Sequence, residues 1–358
     1  MSVFAGNKLT IDIFGHSHDP FIGGCVAGLP GGFAVDMDEL LHFMSRRSPG
    51  RFAGSTRRLE ADFPEIISGL DGGVTDGRPL TVHIRNTDVN SADYRELRHT
   101  PRPGHADLSA WFKFGFNEDM SGGGQFSGRM TAVMCALGGI AVQILKKRGI
   151  WVTAHIRKIG GIEDTRFDNC DVCPDIAHQI AGNPLPVISF EAGERMEMLI
   201  TETQERKDSL GGIIECAAIG YPAGVGGALF DGMEAAISRL LFAIPAVKAV
   251  EFGAGMEAAG MLGSENNDPI YFDGKSVRTR TNNAGGILGG ISDGMPIIFS
   301  AVFKPAPSIG IGQKTVDLSD MTEKSITVKG RHDACFVPRA VPVVEAMAAL
   351  ALLDLLED

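Results

Sequence analysis

Two histidines flank a serine in Gly15-His16-Ser17-His18-Asp19-Pro20. Histidine exchanges a proton near neutral pH with little tuning, so this spacing suits acid/base work. It equally suits a turn whose rings cap backbone groups. A zinc site would need a third ligand at matched spacing, which the sequence does not offer, so no metal is expected. A second group, Arg46-Arg47-Ser48-Pro49-Gly50-Arg51 with Arg57-Arg58, gathers five guanidiniums after a helical segment. Such groups grip phosphate and carboxylate bidentately and keep their charge; salt bridges to Asp36, Asp38 and Glu60 are the plainer use. A third is Arg102-Pro103-Gly104-His105-Ala106-Asp107, followed by Gly122-Gly123-Gly124-Gln125-Phe126-Ser127-Gly128-Arg129. A glycine run that opens a helix presents backbone N–H groups and the positive dipole end, a cradle for phosphate. With neither a P-loop lysine nor G-x-G-x-x-G after a strand, it supports neither an ATPase nor a Rossmann dinucleotide site. The fourth joins Asn282-Asn283-Ala284-Gly285-Gly286-Ile287-Leu288-Gly289-Gly290, Lys304-Pro305-Ala306-Pro307-Ser308 and Gly330-Arg331-His332-Asp333-Ala334-Cys335, with Pro338-Arg339 just beyond. Glycines there admit a flat ligand or a close backbone, and Arg331 with Asp333 offers an anion clamp and a carboxylate; Arg339 and Asp333 can also simply pair.

These clusters sit in an acidic chain of net charge -11. Its surface as a whole repels phosphate backbones and anionic membranes, so neither nucleic acid nor a membrane is an expected partner. Arginines gathered into short motifs in such a chain point to recognition of one small anion. The residues Met1 to Phe14 hold no signal-like apolar run, and no stretch reads as the roughly 20 residues that span a bilayer, so a cytoplasmic protein is predicted. Six scattered cysteines read as thiols; a zinc or redox role for Cys170-x-x-Cys173 lacks a second pair at ligand spacing.

The elements that must position these residues follow from periodicity. Helices are predicted over 36–46, 126–148, 230–243 and 341–356. The second ends in Lys146, Lys147 and Arg148 and is closed by Gly149, which suits the negative end of a helix dipole. The last is apolar nearly all round and should be buried. Strands are predicted at 80–85, 152–156, 212–218, 249–252 and 296–303, where β-branched and alternating residues dominate. Without a βαβ rhythm, repeat or Pro/Ser-rich linker, the pattern indicates an α/β or α+β fold in one intertwined domain, 1–358.

Taken in order, the clusters resemble the three signatures of the chorismate synthase family, and the similarity runs from about Leu9 to the last helix. Gly-x-Ser-His near the N-terminus, RPGHAD with the glycine loop, and NxAGGILGGIS with GRHDxCxxPRAVPVxEAM are together specific, though each alone is not. The resemblance implies an α+β fold, a β-α-β sandwich with central helices between antiparallel sheets, assembled as a homotetramer. It implies an anti-1,4 elimination of phosphate from 5-enolpyruvylshikimate-3-phosphate to give chorismate, with reduced FMN needed catalytically, in the shikimate pathway to aromatic amino acids. Carried over residue by residue, His18 matches the donor of a proton to the leaving phosphate, His105 the histidine at the reduced flavin, and Asp333 the carboxylate that assists proton removal. Ser17 and Ser127 match linking hydroxyls. Arg47, Arg51, Arg102, Arg129 and Arg331 match substrate-binding arginines. For FMN the matches are Gln125, Phe126, Ser127, Pro245, Ala246, Gly289, Lys304, Pro305, Ala306, Pro307, Ser308 and Arg331. Reduced flavin would come from the enzyme's own use of NADPH or from an external flavin reductase.

The chain departs from the family pattern twice. His16 and Asp19 stand where the family has glutamate and glycine, and Gln125-Phe126-Ser127-Gly128-Arg129-Met130-Thr131 stands for Arg-Ser-Ser-Ala-Arg-Glu-Thr. A flavin oxidoreductase using the same glycine loops is the rival enzyme reading; a binding protein that kept the arginines and lost the chemistry is the other.

Overall fold

The computed structural model describes residues 2–50, 52, 62–87, 99–116, 121–183, 185–328 and 333–356. Two five-stranded antiparallel sheets enclose the centre. The first runs, in spatial order, Ser2–Ala5, Thr10–Phe14, Phe21–Ala27, Leu80–Arg85, Pro64–Ser68; the second runs Val247–Phe252, Ile297–Phe303, Gly212–Ile219, Trp151–Ile159, Ile162–Glu163. Helices Thr131–Lys147 and Val337–Leu356 pack on each other between them, the former against the first sheet and the latter against the second. This is the α+β sandwich with central helices that the resemblance implies, and it settles the α/β alternative against parallel pairing.

The patterning explains the layers. Ile22 faces Ile84 and Val26 faces Leu80 across neighbouring strands, all four buried, so every second residue of the first sheet meets the helices. Strand Ile297–Phe303 is apolar without alternation because both its faces are covered: Ile297, Phe299, Ala301 and Phe303 join the main core, and Ile298 joins a smaller cluster with Phe167, Val172 and Ile180. The two central helices cross where Gly138 meets Ala346; a Cβ at Gly138 would lie 2.5 Å from the Ala346 carbonyl oxygen. Glycine there costs about 1 kcal/mol of helix propensity and is retained because nothing larger fits the crossing.

Boundaries moved where side chains cap. The first helix is Met37–Ser45, with Asp36 outside it accepting the Glu39 N–H at 2.9 Å. The second begins at Thr131 behind a short 3₁₀ turn, Gly128–Met130, and ends as expected at Gly149, whose φ of 80° suits glycine alone. By length and composition, Gly128–Lys147 is apolar enough to cross a membrane, contrary to the sequence reading, but 89% of it is buried inside the protein, as a core helix should be. The predicted 230–243 helix is Met233–Leu241, and the predicted 341–356 helix starts earlier, at Val337. Helices Asp107–Phe114, Asp175–Gly182 and Phe190–Glu205 were not foreseen from periodicity. The six cysteines are unbridged.

Two buried polar networks brace the layers. Glu345 on the C-terminal helix accepts from Arg46 at 2.6 and 2.9 Å and from the Ala154 N–H at 2.8 Å. On the outer side of the second sheet, His155 sits between Asp164 at 3.1 Å and Glu215 at 3.0 Å, wholly buried. Burial alone would lower the His155 pKa, but hydrogen bonds to Asp164 and then Glu215 outweigh it, and the net direction is up. Its stabilising contribution is therefore complete below the unfolded histidine value of about 6.5 and is lost as pH rises through the higher folded value. The expected result is that the melting-temperature gap between wild type and His155→Gln narrows as pH rises above about 6.5. A gap that stays constant from pH 6 to 9 would mean that His155 is neutral throughout.

Candidate active site

A cavity of about 1190 Å³ opens between the edge of the first sheet, the N-terminal end of the Thr131–Lys147 helix and the segments at 243–248 and 303–308. Among the described residues its lining holds seven cationic side chains, Arg47, Arg102, Arg129, Arg239, Lys248, Lys304 and Arg339, against one acidic residue, Asp333. In a chain of net charge -11 this is a local reversal of sign, and the helix N-terminus beside it adds to the same field.

The glycine run is the pivot of the site. Gly122, Gly123 and Gly124 have φ of 61°, 95° and 54°, a conformation open to glycine and costly for other residues. The ribbon they form passes between the two signature histidines. A Cβ at Gly122 would come within 2.2 Å of the His18 ring, and one at Gly123 within 3.4 Å of His105 Nε2. Ser17 holds His18 through a 3.0 Å contact between Oγ and Nδ1, and the Ser17 N–H donates to the Gly124 carbonyl at 3.4 Å. Ser127 caps the turn that follows, its Oγ accepting from the Arg129 N–H at 3.3 Å. The two serines therefore tie the histidine loop and the helix start to one ribbon.

His105 is oriented by its own motif. Its Nδ1 lies 2.6 Å from the Asp107 carboxylate, which also takes Arg102 Nε at 2.7 Å and Nη2 at 2.8 Å. Arg102 Nη1 reaches Ser308 Oγ at 3.2 Å, joining the RPGHAD segment to the 304–308 segment. Burial pushes the His105 imidazole below its ordinary value, Arg102 and Lys304 push the same way, and Asp107 only partly opposes them. Burial pushes the Asp107 carboxyl up, but its hydrogen bonds from Arg102 and His105 prevail and hold it well below the usual carboxylate range. At neutral pH His105 is thus a neutral ring with Nδ1 engaged by Asp107 and Nε2 turned to the glycine ribbon.

Arg47 and Arg129 both bind Asp62. Burial works to raise the Asp62 pKa, and the two guanidiniums overcome it and keep the carboxyl ionised. Arg339 donates to Asp333 at 2.5 Å and to the Arg47 carbonyl at 2.9 Å, the pairing the sequence allowed. His16 and Asp19, the two departures in the first signature, bond to each other: Nδ1 to Oδ2 at 3.0 Å, with the His16 N–H also donating to Oδ2 at 2.7 Å.

Of the sequence-predicted residues, His105, Asp333, Ser127, Arg47, Arg102, Arg129, Gln125, Phe126, Pro245, Ala246, Lys304, Ala306, Pro307 and Ser308 line the cavity. Ser17 and His18 are not themselves in the lining, but the His18 ring packs against Gly122, which is, and Pro305 lies between two lining residues. Gly289 lies between the short strands Ile287–Leu288 and Ile291–Ser292, outside the lining. Arg51 and Arg331 lie outside the described residues. Sequence reading missed Asp62, Asn86, Arg239 and Lys248. Lys248 follows Pro245-Ala246 closely enough to have been noticed; the others carry no local signal.

Comparison with known proteins agrees with this geometry. Residues 9–356 match the family model described as chorismate synthase. Chorismate synthase of Lancefieldella parvula is 47% identical, over 98% of this chain and 95% of the relative. That of Dehalococcoides mccartyi is 42% identical, over 99% and 96%, and that of Korarchaeum cryptofilum 43% identical, over 98% and 96%. A solved structure titled as the crystal structure of chorismate synthase superposes with a TM-score of 0.75 at 26% identity, covering 98% of this chain and 92% of that one. With the fold, the ordered signatures and full-length relatives in agreement, the chain belongs to the chorismate synthase family of lyases.

Proposed function

We propose that the chain eliminates phosphate from 5-enolpyruvylshikimate-3-phosphate in an anti-1,4 sense to give chorismate, with reduced FMN required catalytically and no net oxidation. The observation that carries this reading is the cavity whose lining, among the described residues, holds seven cations and one acidic residue, with a glycine ribbon that has a histidine on each side. A substrate bearing a phosphate and carboxylates needs such charge, and elimination needs it most on the departing group.

The residues present fit a flavin. The cavity has room for substrate and cofactor together, and Phe126, Pro245, Ala246, Ala306 and Pro307 give it apolar wall while Lys304 and Ser308 give it polar contacts. When bound, the reduced flavin would supply the electron that loosens the phosphate. Arg47, Arg102 and Arg129 would hold the substrate's anionic groups. His18, steadied by Ser17, would protonate the leaving phosphate. His105 would manage a proton at the cofactor through Nε2, since Asp107 occupies Nδ1. Asp333, held by Arg339, would present a carboxylate to take up the substrate proton.

The sheets share the central helices, which supports reading the chain as one domain. A homotetramer in the cytoplasm, supplied with reduced flavin by an external reductase, completes the proposal. Its test is anaerobic incubation with substrate and FMN under reducing conditions, following phosphate release and chorismate absorbance. Many turnovers per flavin are expected, and NADPH with FMN alone should drive the reaction poorly. Stoichiometric consumption of reductant without phosphate release would instead identify an oxidoreductase.

A further inference from the structure

Two of the guanidiniums at the cavity wall share a single carboxylate. Asp62 offers one oxygen to Nη1 of Arg47 and the other to Nη1 of Arg129, and its side chain is 2% exposed. Arg47 donates to Thr131 Oγ1 at 2.8 Å and the Gly128 carbonyl at 3.2 Å; Arg129 donates to Asn86 Oδ1 at 2.9 Å and the Arg85 carbonyl at 3.0 Å. These bonds fix both guanidinium planes, while Asp62 offsets one of their two charges. Asp62 itself has a φ of 46°, in the left-handed region that aspartate and asparagine tolerate better than most residues.

We infer that Asp62 is a positioning residue that aligns Arg47 and Arg129 and moderates their hold on an oxyanion, so that phosphate departs after it is cleaved; this rests on the proposed reading of the cavity. The argument is electrostatic. An entering anion meets two cations already half neutralised, so it gains direction from a rigid pair without the affinity of two bare charges. Without Asp62 the same cavity would hold phosphate more tightly and aim it less well.

The test replaces Asp62 with Asn, which keeps the size and suits the backbone angle. Inorganic phosphate, titrated calorimetrically without substrate or flavin, should bind roughly tenfold more tightly to Asp62→Asn than to wild type. Turnover should fall roughly tenfold or more from misalignment, with KM not raised. If the variant is unstable, its melting temperature should rise with added phosphate more than the wild type's does, because phosphate replaces the missing counter-ion. Phosphate binding no tighter than wild type, or a variant that phosphate does not stabilise, overturns the inference. Because the titration needs no turnover, failure of the chorismate assay would sink the proposed function and leave this result standing.

Discussion

His105→Ala is expected to lower kcat by about 10²–10⁴-fold with substrate affinity nearly unchanged, the usual worth of a positioned acid or base. The ring is held by Asp107 on one side and set against Gly123 on the other, so truncation removes a proton-handling atom without removing an anion contact. The cationic side chains proposed to hold substrate, Arg102 and its neighbours in the lining, remain. The pH profile adds a second check. Because burial and two cations depress the His105 pKa, the neutral ring persists below histidine's ordinary value, and any limb of kcat/KM due to its protonation should lie below about 6.5 in the free enzyme. Equal losses of binding and turnover in a variant with an unchanged circular dichroism spectrum would reduce His105 to part of the cavity wall.

Glu345→Ala should cost about 3–5 kcal/mol of stability, the range for breaking a buried pair and stranding its partner. Arg46 would keep its charge at 10% exposure and lose the carboxylate that takes both its Nη atoms, and the Ala154 N–H would lose its partner as well. Denaturant unfolding measures the loss; a change under about 1 kcal/mol would mean that water reaches Arg46 and compensates it. A double variant, Arg46→Met with Glu345→Leu, should recover most of the stability, because an apolar pair avoids the desolvation that the ions pay. Arg46 precedes Arg47, so the single variant should also disturb the Arg47–Asp62–Arg129 cluster.

What the sequence disclosed depended on how local its cause was. The 80–85 strand and the burial of the last helix follow from side-chain patterning within one segment, and both appear as read. Helix Phe190–Glu205 escaped notice because charged residues interrupt it throughout and only Ala192, Gly193, Met196, Ile200 and Thr203 are buried; its local signal was Ser189, which caps the Ala192 N–H at 3.3 Å. The order of strands within each sheet comes from long-range pairing, to which periodicity is blind. The candidate site divides along the same line. Its arginines, glycines and histidines were legible as ordered motifs, and the family resemblance assigned them roles. Asp62 and Asn86 were not, since each matters through partners outside its own segment: Asp62 meets Arg47, 15 residues away, and Arg129, 67 away, and Asn86 meets both Arg129 and the carbonyls of His16 and Asp19.

One contact joins the first hairpin to the Val337–Leu356 helix. Asp354, near the end of the last helix, accepts the backbone N–H groups of Asn7, Lys8 and Leu9 at 2.9, 2.8 and 2.6 Å, across about 350 residues of chain. Those amides form the turn between the first two strands, and a Cβ at Gly6 in the same turn would strike the Asp354 carboxylate. During synthesis the first hairpin is made early, and the carboxylate that its turn amides meet in the folded protein arrives only with the Val337–Leu356 helix. The turn of the first hairpin is therefore completed only when the Val337–Leu356 helix packs beside it. Contacts that span so much sequence form slowly as a rule, and the segments awaiting them stay exposed until they close.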